Sequence, residues 1–138
     1  MKLPMEYPGV GVDVYIRKNG KVLLGLRKSS YGAGEWCAPG GKMELKESPE
    51  EAVVREAEEE CGVGFKNLRF INITNDIHDI GTHFLTVNFV ADWDRGEPQL
   101  KEPDKFEKWE WFSWDNLPEP LFLSTRNFVQ TGYNPLTI

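Results

Sequence analysis

GKMELKESPEEAVVREAEEECGV, residues 41–63, decides how this chain is read. Ser48 suits a helix N-cap, Pro49 the first helical position and Glu51 the third, which completes a capping box. Gly62 suits the residue just past the helix, where a left-handed backbone ends the last turn. Between these bounds Ala52, Val53 and Ala57 form a small apolar stripe that can pack on a sheet. Glu56, Glu59 and Glu60 then stand at i, i+3 and i+4 and share one helical face. Like charges at that spacing repel by roughly a few tenths of a kcal/mol per pair. They also fall in the last two turns, where the helix dipole already carries partial negative charge. A solvated acidic face is the plain reading of such a run. Its position at the unfavourable end of the helix argues instead for a compensating cation, and a hard divalent ion such as Mg²⁺ takes oxygen ligands of this kind.

Length and composition set the bounds. A chain of 138 residues is expected to form one domain over residues 1–138 with a single core. Its 40% apolar and 28% charged content is ordinary for a globular protein. It shows no apolar run near the length of a membrane span and no charged-then-apolar leader, so neither a membrane segment nor a signal peptide is expected. Cys37 and Cys61 do not make a disulfide framework, which fits a reducing, cytoplasmic setting. Cys37 is expected to be a small buried filler rather than a reactive thiol. The net charge is −6 with Lys and Arg scattered, which excludes binding to a long nucleic acid through phosphate contacts. A small polyanionic ligand would need a metal to enter an acidic cleft.

The rest of the chain reads as mixed helix and strand without repeats. Val10, Val12, Val14 and Ile16 alternate as a half-buried strand; Asn19-Gly20 makes a hairpin turn to a return strand over Val22–Leu26. A glycine-containing loop over Ser29–Gly34 leads to a short strand at Trp36–Ala38. Gly40 and Gly41 follow, where the backbone can approach a ligand closely. Leu68–Thr74 and His83–Ala91 read as strands, Asp92–Lys105 as a loop, Trp109–Phe112 as a strand and Trp114–Pro118 as a turn. Glu119–Thr131 is predicted as a second helix. The fold class is therefore α/β (α+β), two helices on a mixed sheet. Trp109, Trp111 and Trp114 are expected to pack in the core.

Gly41, five residues, Glu47, seven residues, then Arg55-Glu56-Ala57-Glu58-Glu59-Glu60-Cys61-Gly62-Val63 resembles the complete signature of the Nudix hydrolases. Further likeness lies in PGVGV at 8–12, LLGLRKSSYGAG at 23–34, WEW at 109–111 and GYNP at 132–135. In these stretches the chain resembles the MutT-like branch, and within it the diphosphatases that act on nucleoside triphosphates and thiopurine nucleotides.

That resemblance implies the Nudix fold, a mixed sheet sandwiched between helices (α/β/α), and a loop–helix–loop that binds Mg²⁺ or Mn²⁺ and a substrate diphosphate. It makes Glu56 and Glu60 the principal metal ligands, with Glu59 a further ligand or part of the water network and the Gly40 carbonyl an added oxygen. Arg55 would orient Glu47 and Glu59 rather than touch substrate. Glu102 would be the added ligand or base from a late loop, ahead of Asp104 and Glu107; a surface charge is the competing reading. Arg27, Lys42 and Gly41 are candidate phosphate contacts. Trp36, Thr86, Phe122, Leu123 and Ser124 are the implied base pocket, with Trp36 replacing a smaller aromatic. The implied reaction is attack of water at an inner phosphorus of a nucleoside triphosphate, giving the monophosphate and pyrophosphate. The implied assembly is a homodimer.

Several subgroup markers are missing. No SQPWPFP-type segment of NADH diphosphatases follows the motif, and Ile77, His78 and Asp79 stand where ADP-ribose diphosphatases carry a proline. The tyrosine of dinucleoside polyphosphate hydrolases is missing as well. These absences favour a nucleoside triphosphate, with dihydroneopterin triphosphate as an alternative substrate. An isopentenyl diphosphate isomerase would need a different Cys and Glu arrangement. A non-catalytic Nudix-like nucleotide-binding domain commonly loses motif glutamates, which this chain keeps.

Overall fold

A computed structural model describes residues 5–29 and 31–137. Asn19 and Gly20 both take positive φ (51° and 74°), the turn geometry that joins β1 (Gly9–Lys18) to β2 (Lys21–Arg27). These two strands pair only beside the turn, at Arg17↔Val22 and Lys18↔Lys21. Beyond it they separate. The edge of β2 then takes β3 (Trp36–Cys37), and the edge of β1 takes β4 (Gly40–Lys42). Residues 36–42 thus fill the split between the strands, and the Val14 amide donates to the Pro39 carbonyl at 2.9 Å inside it.

The helix α1 (Pro49–Cys61) follows, then β5 (Gly64–Ile77), β6 (His83–Arg95), β7 (Phe106–Phe112) and α2 (Leu123–Gln130). The sheet has seven strands in the order β3-β2-β1-β6-β5, with β4 on β1 and β7 on β2. β1 runs parallel to β6 from Gly9↔Phe84 to Arg17↔Asp92, and the other pairings are antiparallel.

Strand alternation divides the core into two layers. Val12, Val14 and Ile16 of β1 pack with Ala52, Val53 and Cys61 of α1, the expected apolar stripe. Tyr15 faces the other way and stacks on Phe128 of α2, with ring centroids 4.1 Å apart. The sheet therefore lies between one helix on each face, the α/β/α arrangement. Trp109 and Trp111 pack against the first layer and Trp114 against the second, in line with their reading as core residues. Among the described residues no helix is long and apolar enough to cross a membrane.

Both ends of α1 are built as the sequence predicts. The Ser48 hydroxyl accepts from the Glu51 amide at 3.0 Å, and the Glu51 carboxylate accepts from the Ser48 amide at 2.9 Å. Gly62 ends the helix with φ 69°. The last turn holds no basic residue of its own. Lys101 supplies one from the β6–β7 loop: its Nζ donates to the Glu58 carbonyl at 2.9 Å and lies 3.3 Å from the Glu58 carboxylate. The Gln99 amide also donates to the Cys61 carbonyl, at 2.9 Å.

Several boundaries differ from the sequence expectation, among them the end of β5, at Ile77 rather than Thr74, and the start of β7, at Phe106 rather than Trp109. Gly40–Lys42 is a strand, because the split sheet gives its backbone a partner in β1. β5 begins at Gly64, not Leu68; Asn67 at φ 56° and a register shift between Lys66 and Arg69 form a bulge that hides the first pairs in the sequence. β6 runs on to Arg95, which pairs with Gly64. The second helix begins at Leu123 rather than Glu119. Its expected first turn instead pairs with β3, the Trp36 amide donating to Pro120 and the Phe122 amide to Trp36. Proline at 120 also removes an amide and keeps Glu119 out of the helical region.

Replacing Ser48 with Ala removes one half of the capping box. We expect a loss of about 1 kcal/mol, read as a lower denaturation midpoint in urea with an unchanged slope.

Candidate active site

The helix α1 delivers its three glutamates into different surroundings. Glu60 is buried, 7% exposed, and its Oε1 accepts from the Gly40 amide at 2.9 Å. Glu56 is half-buried beside Gly41, where any Cβ would collide with the Glu56 carboxylate. Glu59 stays at the exposed rim. Gly40 and Gly41 of β4 serve opposite faces of the sheet. Gly41 clears space for Glu56 on the α1 side, and Gly40 clears space for the Asp13 carboxyl on the α2 side.

Arg55 ties the acidic shell together. Its Nε and Nη2 form a fork on Glu47 at 2.7 and 2.9 Å, its Nη1 reaches Glu56 at 2.9 Å and Glu59 at 3.2 Å, and its Nη2 also donates to the Lys42 carbonyl at 3.2 Å. One guanidinium thereby fixes Glu56 against the loop that carries Glu47. The Arg55 hydrogen bond, then that of the Glu44 amide, holds the Glu47 carboxyl down to about 2. Burial pushes Glu56 up despite the opposing hydrogen bond from Arg55. Burial pushes Glu60 well above the usual carboxylate range, with the charges of Glu56, Glu102 and Asp13 acting in the same direction.

A cavity of about 420 Å³ opens between these glutamates and α2. At one end it is lined by Gly40, Gly41, Lys42, Glu56 and Glu60, with Lys105 nearby. At the other stand Tyr31, His78 and Phe122, whose ring centroids lie 5.1 to 5.4 Å apart. Arg27 packs against these rings. Its guanidinium sits 4.1 Å from the Phe122 ring centroid and donates to the Tyr31 carbonyl. Thr86, Ser124, Asp13 and Asp76 line the α2 side.

The structure gathers most of the sequence-predicted site. Glu56, Glu60, Gly40, Gly41, Lys42, Arg27, Thr86, Phe122 and Ser124 all face the cavity. Glu102 is not on its wall, but its carboxylate lies 3.6 Å from Lys105 and its charge acts on both Glu56 and Glu60. Arg55 and Glu59 stand behind the wall. Trp36 and Leu123 are also absent from it. Adjacent strand residues face opposite sides, so bringing Cys37 to the cavity turns Trp36 into the core, edge-on to Phe112 at 5.0 Å. Burial pushes the Cys37 thiol up to about 12, which makes it inert.

Asp13, Asp76, Tyr31 and His78 are cavity residues that the sequence reading did not select. For Asp13 a signal existed, a carboxylate inside an otherwise apolar buried strand. Asp76 and His78 carried none, because their place depends on where β5 ends.

The glutamate end suits a hard cation by its donor chemistry. Two carboxylates under burial strain flank a glycine pair that leaves room beside them, and every donor is oxygen. Among the described residues no three acidic, His or Cys side chains converge tightly enough to hold an ion as they stand. Mg²⁺ fits such a half-built site, since it commonly takes one or two carboxylates and completes its shell with water and phosphate oxygens.

A NUDIX domain profile matches residues 7–131. The chain belongs to the NUDIX family. An oxidized purine nucleoside triphosphate hydrolase of Danio rerio is 39% identical over 87% of this chain and 81% of its own length. An ADP-ribose pyrophosphatase of Methanocaldococcus jannaschii is 37% identical over 84% of this chain and 68% of its own. Among solved structures, a MutT NUDIX hydrolase of Burkholderia pseudomallei superimposes with a TM-score of 0.84 at 38% identity, covering 88% of this chain and 95% of that one. The chain is thus a Nudix hydrolase with the family's mixed α+β fold.

Because the Glu47 carboxyl lies near 2 in the fold against an ordinary 4.5, its stabilising effect is complete above the ordinary value and is lost as pH falls toward 2. Arg55→Ala removes the main cause. Thermal melts should show a shallower loss of stability below pH 4.5 in that variant than in the wild-type protein.

Proposed function

We propose that this Nudix hydrolase is a metal-dependent diphosphatase that converts a nucleoside triphosphate to the monophosphate and pyrophosphate. The observation that carries this reading is the two-ended cavity. The carboxylates of Glu56 and Glu60 stand with Lys42 at one end and a cluster of aromatic rings at the other, with Arg27 against the rings. A nucleotide has the matching order of phosphates, sugar and base. The name of the Danio rerio relative supports a triphosphate substrate.

Glu56, Glu60 and the Gly40 carbonyl would hold Mg²⁺ or Mn²⁺, with Glu59 at the rim. The ion would polarise phosphoryl oxygens and make a bound water more acidic. Glu56 is kept in place by Arg55 and accepts the proton of the attacking water, with Glu102 the alternative acceptor. The water oxygen bonds to the inner phosphorus, and the bridging P–O bond breaks to release pyrophosphate. Lys42, Arg27 and Lys105 offset the negative charge of the phosphates in an otherwise acidic cleft. Arg55 acts on the reaction only through Glu47, Glu56 and Glu59.

The Methanocaldococcus jannaschii relative supports a second reading, an ADP-ribose-like diphosphate substrate, although Ile77, His78 and Asp79 stand in place of that subgroup's proline. A panel of NTPs, dNTPs, oxidised purine triphosphates, dihydroneopterin triphosphate and ADP-ribose separates the two. With Mg²⁺ present and pyrophosphate and phosphate assayed apart, pyrophosphate release from a triphosphate is expected. Failure to release product from every member overturns the reading. Glu60→Gln should lower kcat by about 10²-fold or more with an unchanged circular dichroism spectrum. Activity within a few-fold of wild type would sink the metal assignment.

Metal binding should also be visible without turnover. Mg²⁺ is expected to raise Tm, and to raise it more at pH 8 than at pH 5, because protons compete with the ion for Glu56 and Glu60. In Glu60→Gln that increment should disappear. The expected homodimer finds support in exposed Phe70, Ile73 and Ile77 along the outer strand β5, and light scattering would give its mass directly.

A further inference from the structure

The polar side chains at the aromatic end of the cavity are mostly spent on the protein itself. Arg27 and Ser29 donate to the Tyr31 carbonyl, and the Tyr31 hydroxyl pairs with that of Thr82 at 3.1 Å. His78 differs. It lines the cavity and is half-buried, and its ring has no hydrogen-bond partner among the described residues. Neither ring nitrogen is sealed from solvent, so a molecule in the cavity can reach them.

Two rings and one turn fix where this imidazole points. Tyr31 packs on it edge-on with centroids 5.1 Å apart, and Phe122 lies tilted against it at 5.3 Å. The turn that carries it is closed by two bonds. The His78 amide donates to the Thr82 carbonyl at 2.9 Å, and the Gly81 amide to the His78 carbonyl at 3.2 Å. Thr82 also holds the Tyr31 hydroxyl, so the turn and the loop of Tyr31 are joined. A ring held this way loses little freedom when a ligand takes it up. Burial pushes the imidazole below its usual range, so at neutral pH it is uncharged and carries one N–H donor and one bare acceptor. Such a ring has no charge to offer a phosphate, and the nearby Asp76 would repel one. A flat heterocycle with ring nitrogens and carbonyls suits both the imidazole and the aromatic faces beside it.

We propose that His78 is a specificity residue whose imidazole hydrogen-bonds the edge of the ligand's base. This rests on the nucleotide reading of the cavity given above. A ligand whose organic part has no heteroatom at that edge leaves the imidazole unpaired once water is displaced, and is disfavoured for that reason. The end of β5 at Ile77 is what brings the residue here, because the turn that starts at His78 folds it back over the cavity.

The test uses binding, so that it does not depend on hydrolysis. Titration calorimetry with Mg²⁺ would measure the α,β-methylene analogues of ATP, GTP, CTP and UTP, with pyrophosphate as the probe that lacks a base. The proteins are the wild type, His78→Phe and His78→Ala. His78→Phe keeps an aromatic ring and removes both nitrogens. It should bind the wild type's tightest analogue about fivefold more weakly or worse, with pyrophosphate affinity within about twofold of wild type. If Phe matches the wild type while Ala falls short, His78 is a stacking surface only, which overturns the proposal. An equal loss for pyrophosphate marks a purely structural role and overturns it as well, as does a wild type that binds the analogues no better than pyrophosphate. If His78→Phe does not fold, a crystal structure of the wild type with the tightest analogue decides: a His78 ring nitrogen lies within hydrogen-bond distance of a base nitrogen or oxygen, or the proposal fails. The expected binding pattern without hydrolysis of any triphosphate would refute the diphosphatase reading alone. Hydrolysis with unchanged nucleotide affinity in His78→Phe would refute the His78 assignment alone.

Discussion

β1 and β2 begin as a hairpin and then come apart, and the site depends on that separation. Only two register pairs hold them beside the turn. An edge that lost its partner would expose unpaired amides and carbonyls, which is costly for buried backbone. Residues 36–42 remove the cost by pairing with both strands at once. The same insertion brings a glycine pair to the middle of the sheet, between α1 and α2. Without the split, Glu56 and Asp13 would face separate sides of one continuous sheet. With it, a single cavity reaches groups from both layers.

Electrostatics on the α1 side works by sharing. Four carboxylates, Glu44, Glu47, Glu56 and Glu59, lie within 3.7 Å of the Arg55 guanidinium. Exposed ion pairs contribute little one at a time. Here the fork on Glu47 and the bond to Glu56 give one planar group several fixed partners, so ordering Arg55 also orders the loop after β4. Glu60 receives no such help from a cation. It has the Gly40 amide and burial, which leaves its charge to be met by something that enters the cavity.

How much of this was legible in the sequence follows from how local each feature is. The caps of α1 rest on residues three apart in the chain, so Ser48, Glu51 and Gly62 could be read directly. The glutamate face followed from helical periodicity. β4 could not be read, since three residues containing two glycines have no strand character until the split sheet offers them an edge. The second helix begins later than its sequence suggests for a related reason. Phe122 and Leu121 have apolar side chains that suit either a helix or a bridge, and contact with Trp36 decided for the bridge. Trp36 suits a base pocket by its chemistry, but strand alternation puts Cys37 on that side. Asp13 stood in plain view within β1, yet its meaning required knowing which face Gly40 leaves open.

The absence of a basic residue in the last turn of α1 is made good from outside the helix, by Lys101. The segment between β6 and β7 has no regular structure, and such surface connections usually accept insertions and deletions. This one is fastened at both Lys101 and Gln99 to the carbonyls that end the helix. Gly96 lies so close to the Gly62 carbonyl that a Cβ there would come within 2.7 Å of it. Glu102 is the next residue after the fastening point. The length of chain from Arg95 to Lys101 therefore sets how far Glu102 can stand from the end of α1.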